Sequence, residues 1–139
     1  MSLSIRNQLS GTVVSIVRGT TMAAVKTLLS GGQQITAAVP VEALDELGLE
    51  EGGGVRALVM PTDVVLATGP IAGITIRNQL SGTIASVAVG PAMASVSVRV
   101  AGGELMATVT REAVEELHLA EGSPVTALIK STEVALTAL

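Results

Sequence analysis

Two short segments of the sequence repeat the same pattern of hydrogen-bond donors. Residues 4–8 read Ser-Ile-Arg-Asn-Gln, and residues 75–79 read Thr-Ile-Arg-Asn-Gln. In an extended strand the hydroxyl and the guanidinium, two positions apart, project from the same face. With the asparagine that follows, they form a donor-rich cluster suited to an oxyanion. One copy alone would be typical of a surface arginine, but its recurrence in otherwise diverging halves favours either a binding role or a shared structural interface.

A second group of donors lies in the second half of the chain. Lys130 and Ser131 offer an ammonium, a hydroxyl and turn amides, and Thr110 precedes a predicted helix, where free amides and the helix dipole favour an anion. The alternatives without a binding role are a solvated turn for Lys130 and Ser131 and a simple helix N-cap for Thr110. One arginine and one lysine would balance a tetrahedral dianion, whose burial without compensating charge is costly. The candidate oxyanion ligands are Ser4, Arg6, Thr75, Arg77, Thr110, Lys130 and Ser131.

The first half of the chain lacks this second group of donors. The positions equivalent to Thr110, Lys130 and Ser131 are Pro40, Met60 and Pro61. Three donor side chains are therefore missing together, and the prolines also lack a backbone N–H. We expect fewer strong oxyanion sites than two complete halves would give, each of them using Lys130.

A secondary type of anion site is conceivable in two loops without acidic residues, 19–23 and 90–94. Their backbone amides could converge on an anion at a symmetry axis, and a plain hairpin turn is the alternative. The secondary candidate residues are Met22, Ala23, Met93 and Ala94 in these loops, with Asn7 and Asn78 from the arginine segments.

Composition excludes several classes of function. The 139 residues include no Cys, Phe, Trp or Tyr, so a thiol nucleophile, a Cys-based zinc site and aromatic platforms for single-stranded nucleic acid are excluded. Eight basic and twelve acidic residues give a net charge of −4, which does not favour nucleic acid. The single His118 has no metal-ligating or catalytic pattern around it, and no phosphate-binding glycine loop is present. We expect neither an enzyme nor a direct metal-cation site.

The same sequence predicts a cytoplasmic protein that does not enter a membrane. The first residues lack the long apolar region of a signal peptide. Residues 78–98 are free of charge over a length that could span a bilayer, but they are rich in polar residues, Gly and Pro.

The chain is a tandem repeat. Residues 5–12 and 76–83 are identical, and weaker matches continue to the end of each half. We assign the first repeat to residues 1–69, a turn-rich linker to 70–73 and the second repeat to 74–139.

Each repeat reads as five strands and one short helix. Runs of β-branched residues and alternating polar and apolar positions predict the strands, and Gly-Gly pairs mark hairpins. This order predicts an all-β fold of two tandem OB-like barrels, each with five strands and one short helix. The predicted strands are 12–18, 22–29, 35–39, 55–60 and 64–68 in repeat one, and 84–89, 93–100, 105–109, 125–130 and 134–137 in repeat two. The predicted helices are 41–47 and 111–117.

The hydrophobic fraction, 48%, is high for two such small barrels. A domain of about 65 residues buries only about 60% of its unfolded surface. We therefore expect the repeats to pack on each other and across subunits, as a homo-oligomer.

The repeats resemble the Mop domain of the molbindins, a TOBE-type molybdate-binding module, in its tandem form. The resemblance rests on segments 4–11 and 75–82, on the Gly-Gly hairpins, on the Glu-Leu-x-Leu-x-x-Gly stretch at 46–52 and 116–122, and on Ile-Lys-Ser-Thr-Glu-Val at 129–134.

This resemblance implies OB-like barrels, trimers of tandem repeats containing six barrels, and molybdate or tungstate at interfaces between barrels. It implies no organic cofactor. Carried over residue by residue, one wall of a site would be Ser4 and Arg6, or Thr75 and Arg77. The other wall would be Thr110, Lys130 and Ser131.

Three functions follow as expectations. The leading one is a cytoplasmic protein that stores or buffers molybdate or tungstate, two tetrahedral dianions of similar shape. The second is a sensor that signals occupancy to a transporter or a transcription partner. The absence of ATPase and helix-turn-helix motifs in this sequence favours storage over that role. The third is a structural oligomerisation module with degenerate sites.

Overall fold

The computed structural model of the chain describes residues 7–139, which form ten strands and two short helices. Single 3₁₀ turns at Pro61–Asp63 and Ser131–Glu133 follow the fourth and ninth strands. The strands are β1 (Asn7–Arg18), β2 (Met22–Leu29), β3 (Gln34–Pro40), β4 (Gly54–Val59), β5 (Val65–Ala67), β6 (Asn78–Val89), β7 (Met93–Val100), β8 (Gly103–Thr110), β9 (Pro124–Ile129) and β10 (Val134–Ala138). The helices are α1 (Val41–Leu47) and α2 (Arg111–Glu116).

The all-β fold class predicted from the sequence is confirmed, as two five-stranded sheets. Buried and exposed residues alternate strictly along β2, as expected for a strand with one face in the core. No helix within residues 7–139 is long and apolar enough to span a membrane.

β1 and β6 begin five and six residues earlier than predicted. The sequence predicts the first strand of repeat one from Thr12, where β-branched residues begin. In the structure β1 starts at Asn7, and residues Asn7–Thr12 pair with β4. A break in register between Val13 and Ser15 then lets the same long strand pair with β2. Such irregularities increase twist and bend, which lets one strand serve both sides of a curled sheet.

The two sheets exchange their last strands. Their orders are β10-β4-β1-β2-β3 and β5-β9-β6-β7-β8, so each contains four strands of one repeat and the fifth strand of the other. The sequence reading had assigned all five strands of a barrel to one repeat. Hydrophobic patterning identifies β5 and β10 as strands but does not distinguish their two equivalent partners, β4 and β9.

One aliphatic core runs through both repeats. Its largest fully buried members include Ile35 and Leu44 in repeat one and Leu80 and Leu105 in repeat two. The exchanged strands contribute to it through Val134, whose side chain is buried opposite Val59. The repeats therefore share one hydrophobic core rather than forming two separate domains joined by a linker.

The predicted Gly-Gly hairpins lie where the two repeats touch. A Cβ atom on Gly31 would overlap the backbone oxygen of Ala101, and one on Gly102 would lie 2.7 Å from the nitrogen of Gly31. Gly102 also has a φ of 85°, which side chains rarely adopt. Glycine is needed here for close contact between hairpins as well as for the turn.

Candidate oxyanion-binding site

A cavity of about 250 Å³ brings together two of the predicted donor groups. Thr75, Ile76, Lys130, Ser131 and Thr132 line it. β6 runs antiparallel to β9 with Asn78 opposite Ile129, so residues just before β6 lie beside residues just after β9. Thr75 and the turn formed by Lys130, Ser131 and Thr132, called the lysine turn below, therefore line one cavity within a single chain. The family resemblance implies walls from different barrels.

The chemistry of this cavity suits a small anion. It offers the Lys130 ammonium and the hydroxyls of Thr75, Ser131 and Thr132. Among residues 7–139, the side chain of Lys130 forms neither a hydrogen bond nor an ion pair. The volume is below the roughly 300–1,000 Å³ of sites for drug-sized ligands. The size and the donors together favour an inorganic oxyanion over an organic cofactor.

Of the two predicted arginines, the one that the structure describes, Arg77, lies apart from the cavity. Arg77 is exposed one residue before β6 and does not line the cavity. Ser4 and Arg6 lie outside the described residues. Within the described chain, the cavity thus contains one cation rather than the two that would balance a dianion.

Thr110 does not line the cavity either. It is exposed at the end of β8, and its Oγ1 accepts a hydrogen bond from the Ala113 N–H at 3.1 Å, as an N-cap does. The strand exchange packs the Ser131–Glu133 turn against β3, whereas the Pro61–Asp63 turn packs against β8. The predicted wall of Thr110 with the lysine turn is therefore not gathered in this cavity.

The asparagines of the two arginine segments have a structural role. Asn78 is buried, and its side-chain amide exchanges two 2.8 Å hydrogen bonds with the backbone N–H and C=O of Thr36. Asn7 makes the same pair of 2.8 Å bonds to Met106. Each amide thus pairs with a strand of the other repeat as a peptide group would. These bonds form a structural interface shared by the two segments, which is one of the two roles that their recurrence predicts.

The loops considered for a secondary anion site are tight hairpin turns. The N–H groups of Gly19 and Gly90 donate to the carbonyl oxygens of Met22 and Met93, each at 2.8 Å. The side chains of both methionines are exposed, whereas those of Ala23 and Ala94 are buried. This geometry matches the plain-turn alternative.

In repeat one, the equivalent turn keeps the hydroxyl of Thr62 but lacks the counterparts of Lys130 and Ser131. Met60, 47% exposed, stands where Lys130 stands in repeat two, and Pro61 replaces Ser131. A thioether and a pyrrolidine ring offer an anion neither charge nor an N–H or O–H group. The difference in sequence between the two turns is thus a difference in the side chains that they expose, with Met60 in repeat one and Lys130 in repeat two.

Sequence reasoning missed two acidic residues beside the lysine. A second cavity, of about 200 Å³, is lined by Asp63 and Glu133 together with Lys130, Thr62 and Val65. The available signal was that both repeats carry an acid at the equivalent position, three residues after Met60 or Lys130. Within residues 7–139, no group of three or more His, Asp or Glu residues is arranged to hold a metal ion.

Comparison with known proteins identifies the family of both repeats. A family model described as the TOBE domain matches residues 3–66 and 74–136. Over 134 residues the chain is 34% identical to the molybdenum transport protein ModE of Herbaspirillum seropedicae, covering 94% of this chain and 49% of that protein. Over 66 residues it is 41% identical to molybdenum-pterin-binding protein 2 of Clostridium pasteurianum, covering 48% of this chain and 97% of that protein.

A solved structure matches both repeats together. The cytoplasmic molybdate-binding protein ModG, crystallised with molybdate bound, superimposes with a TM-score of 0.95 at 36% identity, over 100% of both chains. By contrast, the chain spans about half the length of the relatives, such as ModE, that it matches over both repeats.

Proposed function

The chain belongs to the TOBE domain family, and from this premise we propose that it is a binding protein for molybdate rather than an enzyme. The observation that carries the proposal is the cavity in which Thr75, Ser131 and Lys130 converge. The likeness to the molybdate-bound structure over both full chains supports the same ligand. Tungstate, with the same charge and shape, should bind at the same place.

In this proposal the site is completed by another copy of the chain. A dianion needs a second positive charge, and the exposed Arg77, or Arg6, of a neighbouring copy would supply it. Exposed apolar side chains, including Val17 at 67%, Val89 at 50% and Met93 at 48%, support association in the trimer expected from the family resemblance. The exposed hydroxyl of Thr110 would approach the anion only across such an interface.

The biological role we propose is storage or buffering of the oxyanion in the cytoplasm. A site with one lysine and several hydroxyls suits reversible binding. Repeat one would contribute structure and an arginine segment, whereas the second repeat would contribute Lys130 to every strong site.

Equilibrium dialysis against molybdate in excess sulfate, with bound molybdenum counted by elemental analysis, tests this function. Lys130→Gln should weaken binding about 10- to 100-fold, because a hydrogen bond to a charged group contributes about 1.5–3 kcal/mol. Lys26→Gln is the matched control, since Lys26 is exposed on β2 and loses the same charge. Unchanged stoichiometry and affinity in Lys130→Gln would refute the assignment, and no saturable binding by the unaltered protein would favour a structural module.

A sensor is the second candidate, and the observation that favours it is the match over both repeats to the transcriptional regulator ModE of Yersinia pestis. A sensor must change a surface away from the ligand when the ligand binds. Hydrogen exchange with and without molybdate separates the roles. Protection confined to the lysine turn and its neighbours would support storage, whereas protection on a distant face would support signalling.

A further inference from the structure

Lys130 stands between two cavities of opposite character. On one side lie the hydroxyls of Thr75 and Ser131, and on the other lie the carboxylates of Asp63 and Glu133. Lysine carries a compact charge on a flexible four-carbon stem, so one ammonium can serve either cavity. The acids and a bound oxyanion would therefore compete for the same cation.

The strand exchange explains why an acid of repeat one lies beside a lysine of repeat two. Val65 pairs with Leu128 on β9, and Val134 pairs with Val59 on β4. The two turns that precede these exchanged strands are thus adjacent. Asp63 is half-buried in this arrangement, whereas Glu133 is exposed.

We propose that Asp63 and Glu133 are positioning residues that draw the Lys130 ammonium away from the oxyanion cavity and so weaken binding there. This inference rests on the proposed function, because it concerns the affinity of the same site. Within residues 7–139 neither carboxylate forms an ion pair with Lys130, so each attracts the ammonium over a longer distance, and an arriving oxyanion must overcome that attraction. Repeat one, which has Met60 at the position equivalent to Lys130, then regulates the affinity of repeat two through Asp63.

The test is molybdate affinity in Asp63→Asn and Glu133→Gln. Partly exposed ion pairs contribute about 0.2–1 kcal/mol. Each variant should therefore bind molybdate more tightly, by up to about fivefold, with the larger effect from the half-buried Asp63. Glu51→Gln is the matched control, because it removes the same charge from an exposed acid outside both cavities. Asp63→Glu should restore the original affinity, since it returns the carboxylate.

The same substitution in a Lys130→Gln background, measured up to millimolar molybdate, tests whether the effect depends on the lysine. There Asp63→Asn should bind no more tightly than Glu51→Gln. The inference is overturned if Asp63→Asn matches the Glu51→Gln control in the original background, if it weakens binding, or if its advantage persists without Lys130. Failure of the unaltered protein to bind molybdate would instead refute the proposed function.

Discussion

Repeat one and repeat two share a fold and an arginine segment, yet only repeat two has the donors of an oxyanion site in its last turn. The asparagine of the segment is kept in both because each amide bonds to a strand of the other repeat. The donors of the turn have no such structural duty, since Met60 and Lys130 are both exposed. The recurring asparagine thus serves the fold, whereas Lys130, which does not recur, is the residue on which we expect every strong site to depend.

The largest expected effect comes from making repeat two resemble repeat one. Lys130→Met with Ser131→Pro removes a charged donor and a hydroxyl, for a combined loss of about 2–4.5 kcal/mol, or roughly 30- to 2,000-fold in affinity. Dialysis measures this loss, and thermal unfolding checks that the fold persists. Retention of tight binding would show that the contrast between the turns has no functional meaning.

The next largest effect should be equal in the two repeats. Asn7→Ala and Asn78→Ala each remove two hydrogen bonds and leave a partly buried N–H and C=O of the other repeat without that partner, at an expected cost of about 2–4 kcal/mol in the free energy of unfolding. Urea titration measures both variants, with the exposed Ser95→Ala on β7 as a control. A large cost in one repeat and none in the other would contradict the symmetric role.

A smaller effect on the free energy of unfolding should distinguish equivalent core positions in the two repeats. The hydroxyl of Thr27 is buried without a hydrogen-bond partner, whereas Val98 occupies the equivalent position against Gly82. Thr27→Val should stabilise the protein by about 1 kcal/mol or more, because it removes an unsatisfied polar group at nearly constant shape. Val98→Thr should destabilise it to a similar extent. Urea titration should therefore give changes of opposite sign in the free energy of unfolding for the two variants.

The smallest effect concerns the ends of the two helices. Gly48 follows α1 with a φ of 62°, and His118 follows α2 with a φ of 54°. A non-glycine residue is strained in this region by about 1 kcal/mol. His118→Gly should therefore raise the unfolding midpoint by a few degrees, and Gly48→His should lower it. A lower midpoint for His118→Gly would show that the histidine side chain stabilises the helix end.

The sequence was sufficient for the repeat, the fold class and most strands, because alternation and β-branched runs report local structure directly. It was insufficient for the strand exchange, since β4 and β9 offer equivalent edges to β5 and β10. The location of Thr75 in the lysine cavity depends on the register between β6 and β9, which no local pattern encodes. The role of Thr110 could not be predicted either, because its position before a helix suits an N-cap and an anion site equally. Only the residues around it in the structure distinguish the two roles.

The exchanged strands also couple the unfolding of the two halves. If β10 detaches, repeat one loses an edge strand at the same moment as repeat two loses the turn that follows Lys130. Local opening of either half is therefore opposed by contacts in both, and we expect a single cooperative transition. A ligand held at Lys130 would raise the melting temperature of the entire chain by mass action, including that of repeat one, which has Met60 at the equivalent position.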